Sequence, residues 1–197
     1  MASQNTNKPE SRAPVVVQSA KPKNWALLLL RVLAFCATAT ATIVMALNKE
    51  TNTFVVATMG TTSIKATLTA KFQHTPAFVF FVIGTALVSL HNLLMILVSI
   101  LGGKLHLRHG MVAILDMLNA TLISAAVNAA VFMAQLGKYG NSHARWSKIC
   151  DKFETFCSHG AIAILASYIG LGLMLLISVM SILQLIRPKS NYQVSNP

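Results

Sequence analysis

Four apolar runs, at about residues 25–47, 76–101, 110–136 and 160–186, constrain this chain more than anything else in it. Each reaches the ~20 residues that carry a helix across ~30 Å of hydrocarbon. A water-soluble core does not need apolar runs of that length. Charged residues make up 11% of the chain, against about 25% in an ordinary soluble domain. The expected fold is an all-α membrane protein, a four-transmembrane-helix bundle formed as one compact unit over residues 25–187. Residues 1–24 and 188–197 are polar, rich in Ser, Asn, Pro and Lys, and read as disordered tails.

The net charge of +11 raises nucleic acid as a partner. The basic residues lie in tails and loops flanking the spans, however, and no recognition motif accompanies them. The bilayer is the expected partner, with no nucleic acid. A cleaved signal peptide is disfavoured, because 24 polar residues precede the first run and the run exceeds the usual h-region. Four spans put both termini on one side. Lys8, Arg12, Lys21 and Lys23 face one acid, Glu10, in the N-terminal tail; Lys104 and Arg108 in the short loop, and Arg187 and Lys189 in the C-terminal tail, face none. Lysine and arginine are retained in the cytoplasm, so both tails are expected inside and the two longer loops outside.

In the first outer loop, Ile64, Ala66, Leu68, Ala70 and Phe72 alternate with Lys65, Thr67, Thr69 and Lys71. Period-2 alternation signals a half-buried strand. The preceding "TFVVAT" (53–58) is β-branched and aromatic, and Gly60 offers a turn. A small extracellular β-hairpin lying over the helix ends is expected, the alternative being an irregular loop. In the second outer loop Cys150 and Cys157 face an oxidising compartment, where disulfides persist. Seven residues of straight helix would hold their Cα atoms about 10 Å apart, beyond the ~7 Å limit for bridging. A bridge therefore requires the segment to fold back. His143 and His159 lie near, but their spacing matches no zinc-ligand pattern, and no metal or other cofactor is expected. Cys36, within the first span, reads as a packing residue. The sequon Asn119-Ala120-Thr121 falls inside the third span and is discounted.

Arg31 and Asp116 lie well inside the first and third runs. A charge at a helix centre costs ~2.5–3.5 kcal/mol on insertion scales and ordinarily faces a partner. Spans one and three run in the same direction, with Arg31 six residues past Trp25 and Asp116 six past Gly110. Both then sit roughly 9 Å deep, so an intramembrane Arg31–Asp116 pair is expected. Snorkelling of Arg31 is the alternative, and it leaves Asp116 unexplained. Ala113, Asp116, Ala120, Ser124 and Asn128 form one stripe, and Arg31, Ala34, Thr38 and Thr42 another, expected to pack together through small residues. The second span offers Gly84, Thr85, Ser89, His91 and Asn92, and the fourth Ser167, Gly170 and Ser178. His91, with Asn92 and Asn119, forms a candidate intramembrane polar cluster; His91 could serve a proton relay or simply bond a neighbouring helix. No span carries a second carboxylate or a nucleophile with an evident base, so no enzymatic role is expected.

Taken together, Arg31, "KATLTAKFQHTPAFVFFV" (65–82), "HNLLMI" (91–96), "AILDMLNATLISAA" (113–126) and the cysteines of "ICDKFETFC" resemble the CASP-like proteins of plants. These are relatives of the Casparian strip membrane domain proteins, and subfamily 1 is the most similar. The resemblance covers about residues 23–187. It implies a four-span plasma-membrane protein with cytoplasmic tails that forms homodimers, heterodimers or larger assemblies. The strip-forming members build an immobile scaffold that guides cell-wall enzymes. The family's characteristic Arg and Asp map onto Arg31 and Asp116, and its outer-loop cysteines onto Cys150 and Cys157. Strip-forming members carry a first outer loop of the kind E-[ST]-L-P-F-F-T-Q-F; here it reads "ETNTFVVATMG" (50–60). That departure bears on strip localisation, not on membership of the broader family. The expected function is a self-associating plasma-membrane scaffold, the alternative a small transporter or channel subunit with an intramembrane polar path.

Overall fold

The structure is a computed structural model that describes residues 25–101 and 109–186. The expected tails, and the basic residues Lys104, Arg108, Arg187 and Lys189, lie outside the described residues. Four helices carry the fold: α1 (Trp25–Leu47), α2 (Pro76–Ile100), α3 (His109–Tyr139) and α4 (Glu154–Ile186). Strands β1 (Lys49–Met59) and β2 (Thr62–Lys71) and a single 3₁₀ turn (Phe72–His74) join α1 to α2. All four helices are long and apolar enough to cross a membrane. Hydrocarbon offers no partner to a free N–H or C=O, so these runs must satisfy their backbone internally, as helices. Pro76 opens α2, where its missing N–H goes unneeded.

Each helix packs against the next, and α4 closes on α1. Helices consecutive in sequence are neighbours in space, which leaves α1 and α3 diagonal across the bundle. This corrects the expectation that their small-residue stripes meet directly. The close approaches join adjacent helices instead. A Cβ on Gly84 would stand 2.9 Å from Ala126 Cβ, and one on Gly170 would stand 2.8 Å from Thr38 Cγ2. Small residues thus bring α2 against α3 and α4 against α1. On α1 the buried line is Arg31, Ala34, Thr38, Ala41 and Met45.

The α3 stripe also differs from its expected course. It runs through Ala113, Asp116, Ala120, Ile123, Val127 and Ala130, all buried, whereas Asn128 is exposed. Each step of four residues overshoots a full turn by about 40°, so repeated steps of four walk off the face. Asn128 turns its amide back to the Ser124 carbonyl at 2.8 Å, and Asn119 and Thr121 do the same to Leu115 and Leu118. Such back-bonding lets a polar side chain sit outside the core without a stranded donor.

Helix α4 begins six residues before its apolar run, at Glu154. With 33 residues it spans about 50 Å, and α3 with 31 about 47 Å. Their ends therefore outreach the hydrocarbon beside the hairpin. There the α3–α4 connection turns tightly. Gly140 has φ +68°, and a Cβ on it would lie 2.6 Å from the Trp146 carbonyl oxygen. The Gly137 carbonyl accepts from the amides of Ile149 and Cys150 at 2.8 and 3.2 Å. This fold-back brings the Cys150 and Cys157 Cα atoms to 5.6 Å, and the two are disulfide-bonded.

The antiparallel hairpin is present, its strands joined at Gly60–Thr61, and register shifts between Val55 and Ala57. Its burial is less than the alternation predicts. At the base, Phe54, Ala70 and Phe72 pack on the core, and Phe54 meets Phe153 edge-on at 5.8 Å between ring centres. Farther out, Val55, Val56 and Ile64 are exposed, as is Leu68 nearer the base. The hairpin therefore covers the bundle end at its base, and most of its outer half is exposed. Two hydroxyl pairs, Thr51–Thr69 and Thr53–Thr67, bridge the strands at 3.1 and 3.2 Å and support the free ribbon.

Candidate functional site

Asp116 lies in the second turn of α3, on its buried line, and is fully buried. From the opposite corner Arg31 of α1, 3% exposed, reaches across the bundle axis. Its Nη1 donates to Oδ1 at 3.0 Å and its Nη2 to Oδ2 at 2.7 Å. This two-pronged geometry suits the planar guanidinium, and its long stem makes a diagonal contact possible.

The carboxylate takes two further donors. His91 Nε2 of α2 is 2.8 Å from Oδ1, and Ser181 Oγ of α4 donates to Oδ2 at 2.6 Å. A carboxylate only accepts, so Nε2 carries the hydrogen in this contact. Each oxygen receives two bonds, which fills the roughly four lone-pair sites of the group. All four helices therefore meet at one residue of α3. Farther along, Thr42 donates to Thr85 Oγ1 at 2.9 Å, a second polar tie between α1 and α2.

The three side chains of the expected polar cluster go separate ways. His91 joins Asp116. Asn92, one residue on, is turned by about 100° and faces α4, its Nδ2 on the Val88 carbonyl at 2.9 Å and Met174 Sδ at 3.1 Å. Its Oδ1 is buried without a hydrogen-bond partner among the described residues. Asn119 is three residues past Asp116, about 60° off its direction, and bonds within its own helix. No polar file links the three. Ser181 went unseen in the sequence because serine is common along α4. Depth could have found it: α4 runs opposite to α1, and Ser181 lies five residues before Ile186, near the level of Arg31.

A second polar group ties the hairpin to the disulfide loop. Glu50 Oε2 accepts from the Phe156 amide at 2.6 Å in the first turn of α4, where a carboxylate complements the helix dipole. Asn48 Nδ2 donates to the Phe156 carbonyl at 2.8 Å. Asn52 Nδ2 donates to Glu50 Oε1 at 2.9 Å and to the Lys152 carbonyl at 2.6 Å. The alternation N-x-E-x-N over 48–52 was the available signal, since it puts three polar side chains on one strand face. Among the described residues, no group of three or more His, Cys, Asp or Glu is placed to hold a metal.

Arg31, His91 and Asp116 all lie in the stretches that resemble the CASP-like proteins, and comparison with known proteins agrees with that resemblance. The family described as Casparian strip membrane protein domain matches residues 20–173. The chain belongs to the CASP-like family. It is 66% identical over 175 residues to CASP-like protein 1B1 of Populus trichocarpa, covering 87% of this chain and 90% of that one. It is 61% identical over 194 residues to CASP-like protein 1B2 of the same plant, covering 95% and 98%. CASP-like protein 1B2 of Arabidopsis thaliana is 60% identical over 189 residues, covering 94% and 96%. No solved structure matches the chain. It is a multi-pass membrane protein of subfamily 1 of this family.

Proposed function

We propose that this family member is a non-enzymatic plasma-membrane scaffold. It associates laterally with its own kind and with related members, and its hairpin end organises a membrane domain and the wall enzymes beside it. Residues 25–187 form the membrane unit, with residues 1–24 and 188–197 as tails on the cytoplasmic side. The observation that carries the reading is the saturation of Asp116. All four of its acceptor positions are taken by the protein's own side chains, so the charged centre has no free valence for a substrate. A carboxylate shared by four helices holds a bundle rigid, which is what a platform requires. The family description, with the words Casparian strip membrane protein domain, supports the same reading. The exposed apolar residues Val55, Val56 and Ile64 give the outer hairpin a surface for partners.

Recovery after photobleaching of the tagged chain in its own cells tests the proposal. Slow recovery in defined patches, with cross-linked dimers or larger species in the same membranes, is the expected result. Free diffusion as a monomer overturns it. Transport is the competing class. Reconstituted protein that carries a proton or solute flux abolished by His91→Ala would replace the scaffold reading.

A further inference from the structure

Beneath the hairpin the structure contains a cavity of about 680 Å³. Its floor is Met45, Phe78 and Ile164, and its roof is Ala70, Phe153 and the Cys150–Cys157 bridge. Gly160 lines it without a side chain, and a Cβ there would meet only Asn48 Nδ2 at 3.8 Å and Met45 Cε at 4.0 Å. The volume falls within the ~300–1,000 Å³ of small-molecule sites. Cavities walled by hydrocarbon stay dry and take apolar guests. Exposed Leu165 of α4 and exposed Gln135 and Lys138 of α3 also line it. With Leu68, His74 and Tyr139, also exposed and lining it, they mark a mouth bounded by the hairpin base, α3 and α4.

The charge at this mouth has one sign. Lys71 and Lys138 line the cavity and no carboxylate does. Lys71 stands directly opposite Lys49 in the hairpin register, and like charges so placed repel. Among the described residues neither Lys71 nor Lys138 is in an ion pair. Glu50, the acid of this strand, is occupied at the start of α4.

We propose that the cavity holds one acyl chain of an anionic phospholipid, with the headgroup between Lys71 and Lys138. The second chain stays in the bilayer outside the mouth. The lipid would relieve the lysine repulsion and fill the space between hairpin, disulfide loop and bundle. This site needs no self-association and stands apart from the scaffold reading.

Electron spin resonance on the full chain in phosphatidylcholine nanodiscs tests it, with a chain-labelled phosphatidylglycerol or phosphatidylcholine as the probe. The immobilised fraction should favour phosphatidylglycerol. Lys71→Gln and Lys138→Gln should each lower that preference about fivefold, while Lys65→Gln, exposed near the hairpin tip and outside the cavity, leaves it unchanged. Gly160→Leu should remove the immobilised component of both probes. Equal immobilisation of the two lipids, or an equal effect of Lys65→Gln, overturns the proposal. So does displacement of phosphatidylglycerol by labelled palmitate at equal concentration, since the occupant would then be a free fatty acid. The lysine variants sit at the surface, and gel filtration confirms their fold independently.

Discussion

Replacing Asp116 by alanine strands a guanidinium that is 3% exposed and bonded to both carboxylate oxygens at 3.0 and 2.7 Å. Breaking a buried pair by removing one partner costs about 3–5 kcal/mol, whereas exchanging both for apolar residues of similar volume is often near neutral. Two other donors lose their acceptor in either case. Ser181 can turn to the carbonyl four residues back, as Ser178 does to Met174 at 2.8 Å, so its loss is small. His91 has no such recourse, and an unsatisfied donor there costs about 1–3 kcal/mol. The double change Arg31→Leu with Asp116→Leu should therefore lose about 1–3 kcal/mol. Asp116→Ala should lose that amount together with the stranded charge. Unfolding free energies from steric trapping in bicelles measure both. Equal losses from the single and double changes would refute the pairing argument, because they would mean that Arg31 finds water or headgroups once its partner is gone.

Three further outcomes are expected. Gly170→Ala places a methyl 2.8 Å from Thr38 Cγ2 and should cost about 1–3 kcal/mol in the same unfolding assay, whereas Gly172→Ala, with open space at its Cβ, should change stability little. Cys150→Ser with Cys157→Ser opens a seven-residue loop, worth about 2 kcal/mol of chain entropy, and should speed proteolysis between α3 and α4; an unchanged cleavage rate would remove the bridge's structural role. Glu50→Ala frees the Phe156 amide and the hairpin base, and should cost about 1–2 kcal/mol, read as faster amide exchange at residues 153–157 with the transmembrane cores unaffected.

Arg31 and Asp116 were legible as an expected pair because charges within apolar runs are few and costly, and helix rise converts sequence position into depth. Ser181 was not, since a hydroxyl carries no comparable penalty in a helix that can absorb it by back-bonding. His91 could be noticed, but its direction could not. Neighbouring residues differ by about 100° around the axis, which sends His91 to Asp116 and Asn92 to Met174. The hairpin's alternation located its strands, yet exposure of Ile64 and Leu68 depends on whether a helix lies beneath them.

What the amino-acid order determined alone is the number of spans, their approximate places and the need for an internal partner at each charge. Those follow from transfer free energies, which each stretch of chain pays in lipid whatever its neighbours are. Only the tertiary structure decided that α1 and α3 stand diagonally, that one carboxylate serves four helices, and that a cavity opens under the hairpin. Helix rotation and adjacency depend on how several surfaces fill space together, and no single segment carries that information.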